Sequence, residues 1–297
     1  MSLAPRAVVV HRTSEYEELL ARHGTHGQAE FFLSSRGRGI DDVVERHRRK
    51  QLSLSEVEAA IPPSWRQARL ERADLDRFLF GPEDVVVVVG ADGLVANTAK
   101  YLSEQPVVGI DTEPGRGLGT LVRHRPRDTA RLLSAAAAGG PAIDELTMVE
   151  AAADNGERLC ALNEIYFGSP GHQSARYRLT PSAATDPETQ ASSGVLVGTG
   201  TGSTGWLRSL WQERSSALPL PGPADPRLLW FVREAWPSPA TGTRLVEGTL
   251  AGTEELRLTV ESDRLVAFGD GIESDALELT WGQTVRVGIA ARRLRLV

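Results

Sequence analysis

Asp92 stands inside Gly90-Ala91-Asp92-Gly93, a turn that follows the valine run Val85–Val89 and leads into a stretch of helical character. A turn that joins a buried strand to a helix offers backbone N–H groups and the positive helix end to an anion such as phosphate. A carboxylate there repels that anion. Three roles resolve the conflict: a metal ion neutralises the carboxylate, it accepts the proton of a hydroxyl nucleophile, or it caps the helix that starts near Leu94. A second glycine-rich stretch, Gly200-Thr201-Gly202-Ser203-Thr204-Gly205, satisfies G-x-G-x-x-G. The dinucleotide-binding reading of that motif also requires an opening strand-helix-strand unit and an acid roughly 20 residues on, whereas here the surroundings are β-rich and "LPLPGPADP" interrupts the path. No G-x-x-x-x-G-K-[ST] is present, and Thr201 stands where a nucleophile elbow around Ser203 needs glycine. What remains is a hydroxyl-rich turn at a helix N-terminus, whose donors suit phosphate or ribose and whose plain alternative is a Ser/Thr cap.

The elements that would position these residues alternate in the first half of the chain. "RAVVVH" reads as a short buried strand, "SEYEELLARHG" as an amphipathic helix and "AEFFLSS" as another strand. Residues 40–60 read as a long helix with "ERHRRKQ", Glu45 to Gln51, on its solvated side; a phosphate or nucleic-acid patch is the alternative for that run. Val85–Val89 and "QPVVGID" read as parallel strands covered on both faces, with a helix between them. Ligands bind at the carboxyl ends of such strands, so Asp92 and Asp111 are expected to line one crevice. After the Gly139-Gly140-Pro141 stop the texture becomes mostly β. "ELTMVEAAA" and "ERLCALNEIYFG" read as a hairpin around an Asn155-Gly156 type I′ signal, and many short strands follow. The expected fold is an α/β N-terminal domain with a parallel, Rossmann-like sheet (1–140), a β-rich domain (141–275) and C-terminal strands (276–297) that pack back on the first domain. Leu179–Ser193 reads as a weakly ordered loop.

Composition bounds the function. With 297 residues and 41% hydrophobic content the chain can bury two medium cores, and a net charge of −6 gives no global footprint for nucleic acid or an anionic membrane. Any anionic ligand is therefore handled locally. The single Cys160 excludes a disulfide framework or a multi-thiolate metal site and fits a small core residue. No apolar run is long enough for a leader or a membrane span, so a soluble, cytoplasmic protein is expected. His23 and His26 invite a metal reading, but no third ligand is nearby and the segment reads as a helix end, so no metal-ligating side chains are assigned. Trp206, Trp211, Trp230 and Trp236 read as core residues before base-stacking ones.

Four segments in fixed order resemble the NAD kinase family, which shares its core with diacylglycerol and sphingosine kinases. "VVVGADGLVANTA" is similar to that family's Gly-Gly-Asp-Gly-Thr turn, and "PVVGIDTEPGRGLGTLV" to its Gly-Ile-Asn segment ending in Gly-x-Leu-Gly-Phe-Leu. "CALNEIYFG" is similar to its Ala-Leu-Asn-Glu strand, and "SGVLVGTGTGSTGWLRSL" to its Thr-Pro-Thr-Gly-Ser-Thr-Ala-Tyr segment. "FGDGI", ending at Ile272, resembles its late Asp-Gly. The resemblance implies that Asp92 is the catalytic carboxylate, as base or magnesium contact, and that Gly90 and Gly93 let amides approach phosphate. Asp111 and Arg116 would belong to the nucleotide side; by position alone, Arg116, Arg123, His124 and Arg125 follow the second βα turn in reach of a donor phosphate, with surface solubility as the equal rival. Asn163 and Glu164 would hold a ribose or adenine of the acceptor, and a carboxylate suits paired ribose hydroxyls because it accepts two hydrogen bonds. Thr201, Ser203 and Thr204 would contact the acceptor from the second domain, beside Ser193 and Trp206.

The departures bear on substrate. Ala91 and Leu94 replace a glycine and a threonine, removing a hydroxyl that could touch phosphate, and Ser193, Gly205 and Trp206 replace an Asp, an Ala and a Tyr. The implied function is ATP- and Mg2+-dependent phosphoryl transfer to a hydroxyl of a small molecule, with the ribose 2′-hydroxyl of NAD as first acceptor. The alternatives are another nucleoside, sugar or polyol acceptor, or a nucleotide sensor that kept the fold without turnover. A lipid kinase ranks last, since no basic amphipathic anchor is apparent. The family resemblance implies a homo-oligomer, dimer or tetramer, with small-molecule substrates and neither nucleic acid nor membrane as partner.

Overall fold

A computed structural model describes residues 4–117, 119–139, 143–181 and 186–297. The chain divides into two compact units, the first running to Ile143 and including Arg295–Val297, the second Asp144–Leu294.

The first unit contains β1 (Arg6–His11), α1 (Glu15–His23), α2 (His26–Ser34), α3 (Asp41–Ala59), β2 (Arg66–Glu71), β3 (Asp84–Gly90), α4 (Asp92–Ala99), β4 (Pro106–Asp111) and α5 (Thr129–Ala137). The strands form a parallel sheet in the order β2-β1-β3-β4. Val85, Val87 and Val89 pack with Leu54 and Val57 of α3 and with Leu132, Leu133 and Ala136 of α5. Val86 and Val88 point to the opposite face and are fully buried as well. A strand sheathed on both sides has no polar positions, which is why it reads as an uninterrupted valine run.

Two elements differ from the sequence expectation. "AEFFLSS" is not a strand; it lies in α2, which starts on Thr25, whose side chain accepts from Gln28 N. Ala29 and Leu33, four residues apart, are buried with Leu19, while Phe31 is left exposed. The helical spacing therefore buries what the apparent alternation would have split. Conversely, Arg66–Glu71 is a strand that the sequence did not suggest, because it is the sheet edge and buries only Leu70.

The second unit is β-rich: β5 (Asp144–Ala153), β6 (Arg158–Ala161), β7 (Glu164–Gly168), β8 (Ala175–Thr180), β9 (Glu188–Ser192), β10 (Val195–Gly198), α6 (Trp206–Glu213), β11 (Arg227–Val232), β12 (Glu247–Ala251), β13 (Glu255–Val260), β14 (Arg264–Gly269), β15 (Ile272–Thr280) and β16 (Thr284–Leu296). One sheet runs β12-β11-β10-β7-β14-β15, all antiparallel. Across a shared apolar core lie β16, β13, β8 and β9, with the β5-β6 hairpin beside β16. The outer face of the six-stranded sheet is covered by α6 through Leu207 and Leu210, which pack on Leu196, Leu229 and Phe231. The last residues of β16, Arg295 and Leu296, pair with Pro106 and Val107 and belong to the first unit.

Three further expectations change. "ERLCALNEIYFG" is not one strand: β6 and β7 lie in different sheets, so Leu162 and Asn163 form a corner. The β5-β6 turn is not type I′, since Gly156 (φ 94°) has positive φ and Asn155 does not. The type I′ signature falls instead on Asp270 (φ 53°) and Gly271 (φ 69°), which join β14 to β15 with Gly269 facing Ile272. Within Leu179–Ser193, expected as loop, Glu188–Ser192 is a strand paired with β8; residues 182–185 lie outside the described residues. No helix among the described residues is long and apolar enough to cross a membrane.

Candidate functional site

In the first unit Asp92 is the first residue of α4, and Ala91 is the cap, with no side-chain cap bond. Capping, one of the three roles open to Asp92, is therefore not the one it has. Its carboxylate accepts three consecutive backbone amides from the segment after β4: Thr120 N on Oδ2 at 3.0 Å, and Leu121 N and Val122 N on Oδ1 at 2.9 Å each. That segment lies along β4, where His124 N donates to Gly109 O and Asp111 N to His124 O. Glycine is required at 109 because a Cβ there would sit 2.1 Å from Leu121 O. An ionised carboxylate has about four lone-pair sites. Three are taken, and the open one is on Oδ2.

The other residues of this turn are placed as follows. Gly90 is half-buried against Leu94, and Gly93 is exposed with open space where a Cβ would lie. Leu94, in place of a threonine, is buried. Asp111 Oδ1 accepts Glu113 N at 2.8 Å, and its Oδ2 pairs with Arg125 at 3.4 Å. Arg116 is exposed and pairs with Glu113 at 3.3 Å. Arg123 Nε donates to Thr120 O, and the His124 ring contacts Val297 O through Nε2 at 2.8 Å. The four side chains placed by sequence near a donor phosphate are thus each engaged within the chain. Among the described residues no group of three or more His, Cys, Asp or Glu side chains is arranged to hold a metal ion.

In the second unit the strand ends of β10, β7 and β14 converge, with Glu164 opposite Gly198 and Ile165 opposite Gly269. Asp270, at the type I′ turn, repeats the device of Asp92. Its carboxylate accepts Leu162 N at 2.8 Å, Asn163 N at 2.7 Å and Glu164 N at 3.4 Å, fixing the corner between β6 and β7. The hydroxyl-rich turn packs on the same corner: Thr199 N donates to Asn163 O at 2.9 Å, and a Cβ at Gly202 would come within 2.4 Å of Asn163 O and 3.2 Å of Glu164 Oε2. The G-x-G-x-x-G stretch therefore follows an antiparallel strand and opens α6, not a strand-helix-strand unit.

Glu164 is half-buried, and its carboxyl makes no hydrogen bond or ion pair with the described residues. Burial, reinforced by the neighbouring Asp270 charge, pushes its pKa up to about 8. A raised pKa favours the carboxylic acid, which donates as well as accepts, over the double acceptor the sequence suggested. Thr201 is 2% exposed and its hydroxyl has no hydrogen-bond partner. Ser203 donates to Thr199 O at 3.4 Å and Thr204 to Thr201 O at 3.0 Å.

Trp206 stacks on Tyr166, with ring centroids 5.7 Å apart and planes 17° off parallel, and Arg233 lies 5.3 Å from its ring centre. Ser193 joins this group through its backbone: its N donates to Arg233 O, and its O accepts the Tyr166 hydroxyl at 3.1 Å. Asn163, Glu164, Thr201 and Ser203 thus gather at one corner, while Ser193 and Trp206 meet around Tyr166. Sequence reasoning missed Tyr166 and Arg233, and gave Asp270 no task. The Asp-Gly dipeptide was the available signal for Asp270, since it marks a type I′ turn.

No family model matches the chain. Among curated proteins it is similar to the NAD kinase of Chlorobaculum tepidum, with 28% identity over 144 residues. The match covers 47% of this chain and 47% of that protein, so the chain spans about half the length of the curated relative it matches. The parallel α/β unit followed by a β-rich unit fits the two-domain layout expected from the sequence, and the likeness to that kinase is a distant one.

Proposed function

We propose that the protein transfers a phosphoryl group from ATP to the hydroxyl of a small nucleoside-containing acceptor, with the ribose 2′-hydroxyl of NAD as first candidate. The observation that carries this reading is the Asn163–Glu164 corner: a half-buried carboxyl that makes no hydrogen bond or ion pair with the described residues and lies against the turn at Gly202. A neutral carboxyl and a carboxamide each donate and accept, which matches the mixed donor and acceptor edge of an adenosine or its paired ribose hydroxyls. An apolar ligand leaves such a pair unsatisfied at a cost of about 1–3 kcal/mol per buried group. Ser193 and Trp206 are placed by the same reading at the rim of acceptor binding, through Tyr166.

Phosphoryl transfer asks of a protein mainly alignment and charge neutralisation. Asp92 fits a single contact through its open Oδ2 position, toward the acceptor hydroxyl or a cation. Magnesium keeps most of its shell from water and phosphate oxygens, so one carboxylate contact from Asp92 would be enough for a cation that arrives on the donor. Its chemistry when bound is to neutralise charge on the transferring phosphates.

A second reading, nucleotide sensing without turnover, is favoured by one observation: three of the Asp92 acceptor positions are spent on backbone amides. One experiment separates the two. Purified protein is incubated with magnesium, ATP and a metabolite panel containing NAD, and products are examined by mass spectrometry. Gain of one phosphoryl on NAD supports the reading as stated, and gain on another hydroxyl compound moves the acceptor. Absence of product while ATP or NAD still raises the melting temperature supports the sensor.

A further inference from the structure

The basic run Glu45–Gln51 of α3, expected to be a solvated face, divides in the structure. Arg48 and Arg49 are exposed and share Glu45 at 3.0 and 2.9 Å, and Arg46 reaches Glu15 at 2.7 Å. Lys50 differs: it is half-buried and makes no hydrogen bond or ion pair with the described residues. Burial lowers its ammonium from the ordinary lysine value; Glu17 and Glu71 oppose the shift, and Arg69 and Arg12 add to it. A lysine that is partly stripped of water and left without a partner is costly unless something else supplies the counter-charge.

Its position follows from the fold. Leu54 and Val57 fix α3 on the Val87 and Val89 side of the sheet, and the helix then feeds β2 at the amino end, where Arg66 N meets Pro5 O. Lys50 lies one turn before Leu54, toward the carboxyl ends of the strands. The groups facing it agree: His11 and Arg12 at the end of β1, Glu71 and Arg69 at the end of β2, and Glu17 of α1. Both acids already have duties. Glu71 accepts Thr13 N at 2.7 Å and Ala73 N, and Glu17 accepts Ser14 N at 2.7 Å. His11 accepts from Arg69 Nε at 3.1 Å, and an imidazole has no negative charge to set against Lys50.

The strand order β2-β1-β3-β4 reverses at β1 and β3: the chain leaves β1 toward β2 and leaves β3 toward β4. The loops after β1, Arg12–Ser14, and after β3, Gly90–Asp92, therefore diverge at the carboxyl edge, where parallel sheets take their ligands. The turn after β3 carries an acid and no cation, and Arg116 and Arg125 beyond β4 are paired with Glu113 and Asp111.

We propose that Lys50, with the exposed Arg12 from the loop after β1, holds the terminal phosphate oxygens of the phosphoryl donor at this reversal of strand order. Arg12 is released easily for the task, its Glu18 partner being 3.8 Å away in solvent. The proposal rests on the kinase reading for the identity of the donor, but the oxyanion site itself does not.

The test uses inorganic tripolyphosphate as probe, titrated calorimetrically into the full chain and into Lys50→Met and Lys50→Arg, with donor and acceptor KM measured alongside. Removing a charge-assisted contact weakens binding roughly tenfold or more. Lys50→Met should lose about that much tripolyphosphate affinity and raise the donor KM in step, with the acceptor KM unchanged; Lys50→Arg should recover most of both. Tripolyphosphate binding by Lys50→Met equal to that of the natural chain, or no binding by the natural chain, overturns the proposal. A Lys50-dependent oxyanion site in a protein that transfers no phosphoryl would sink the kinase reading and keep the site. Phosphoryl transfer that is indifferent to Lys50→Met would do the reverse.

Discussion

Asp92 carries two duties that a single substitution would disturb together. An asparagine there keeps one acceptor oxygen but turns an NH2 group toward amides that now face a carboxylate, so at least one of Thr120, Leu121 and Val122 loses its partner. An orphaned buried N–H costs about 1–3 kcal/mol. Asp92→Asn should therefore abolish phosphoryl transfer and also lower the melting temperature; full activity in this variant would remove Asp92 from the chemistry. Glu164 makes a prediction in pH. Its folded pKa of about 8 lies above the ordinary value of 4.5, so the folded protein holds a proton that the unfolded chain releases. The stability that neutral Glu164 contributes is full below about pH 4.5 and is lost as pH rises to about 8. Glu164→Gln stays neutral throughout, so its melting temperature should gain on that of the natural chain across this window and run parallel above it. A difference that is flat with pH would mean that Glu164 is ionised in the folded state.

At the scale of elements, what was legible followed from local pattern. The valine strand β3 announces itself because both faces are covered, and the Gly-Ala-Asp-Gly turn follows from the strand and helix on either side. What was not legible depends on distant partners. The duty of Asp92 lies 28 to 30 residues further along, and that of Asp270 lies 106 to 108 residues back, so neither turn by itself could reveal it. The corner at Asn163 was read as strand because each flank is a strand, and only the separation of β6 and β7 into two sheets shows the bend. α2 was misread because Phe31 and Phe32 mimic alternation while Ala29 and Leu33 do the packing. Lys50 was hidden in a run that reads as uniformly charged, of which only Arg48 and Arg49 are exposed. Gly109 offers an element-level test, since its missing side chain admits the segment that Asp92 grips. Gly109→Ala should push Leu121 away from β4 and cost about 1–3 kcal/mol by overpacking, read as a lower unfolding midpoint in urea. An unchanged midpoint would show that the segment can move aside freely.

At the scale of the molecule, a net charge of −6 coexists with an anionic donor and acceptor in the proposed reaction, so attraction must be local and substrate capture should weaken only moderately with added salt. A donor KM that climbs steeply with ionic strength would point to long-range steering instead. The last three residues bear on stability. Arg295 and Leu296 pair with Pro106 and Val107, Val297 N donates to Val107 O, and Val297 O meets the His124 ring. Deleting Arg295–Val297 exposes one edge of the parallel sheet and removes Val297 from its core, and should lower the melting temperature of the first unit, as followed by proteolysis at sites before Ile143. The same arrangement sets an order on biosynthesis. The ribosome delivers β1 to β4 early, but the strand that closes their edge emerges only after every residue of the β-rich unit has been made. The nascent α/β half must wait with an open flank, a window in which chaperone contact or edge-to-edge association with another nascent chain decides the yield of folded protein.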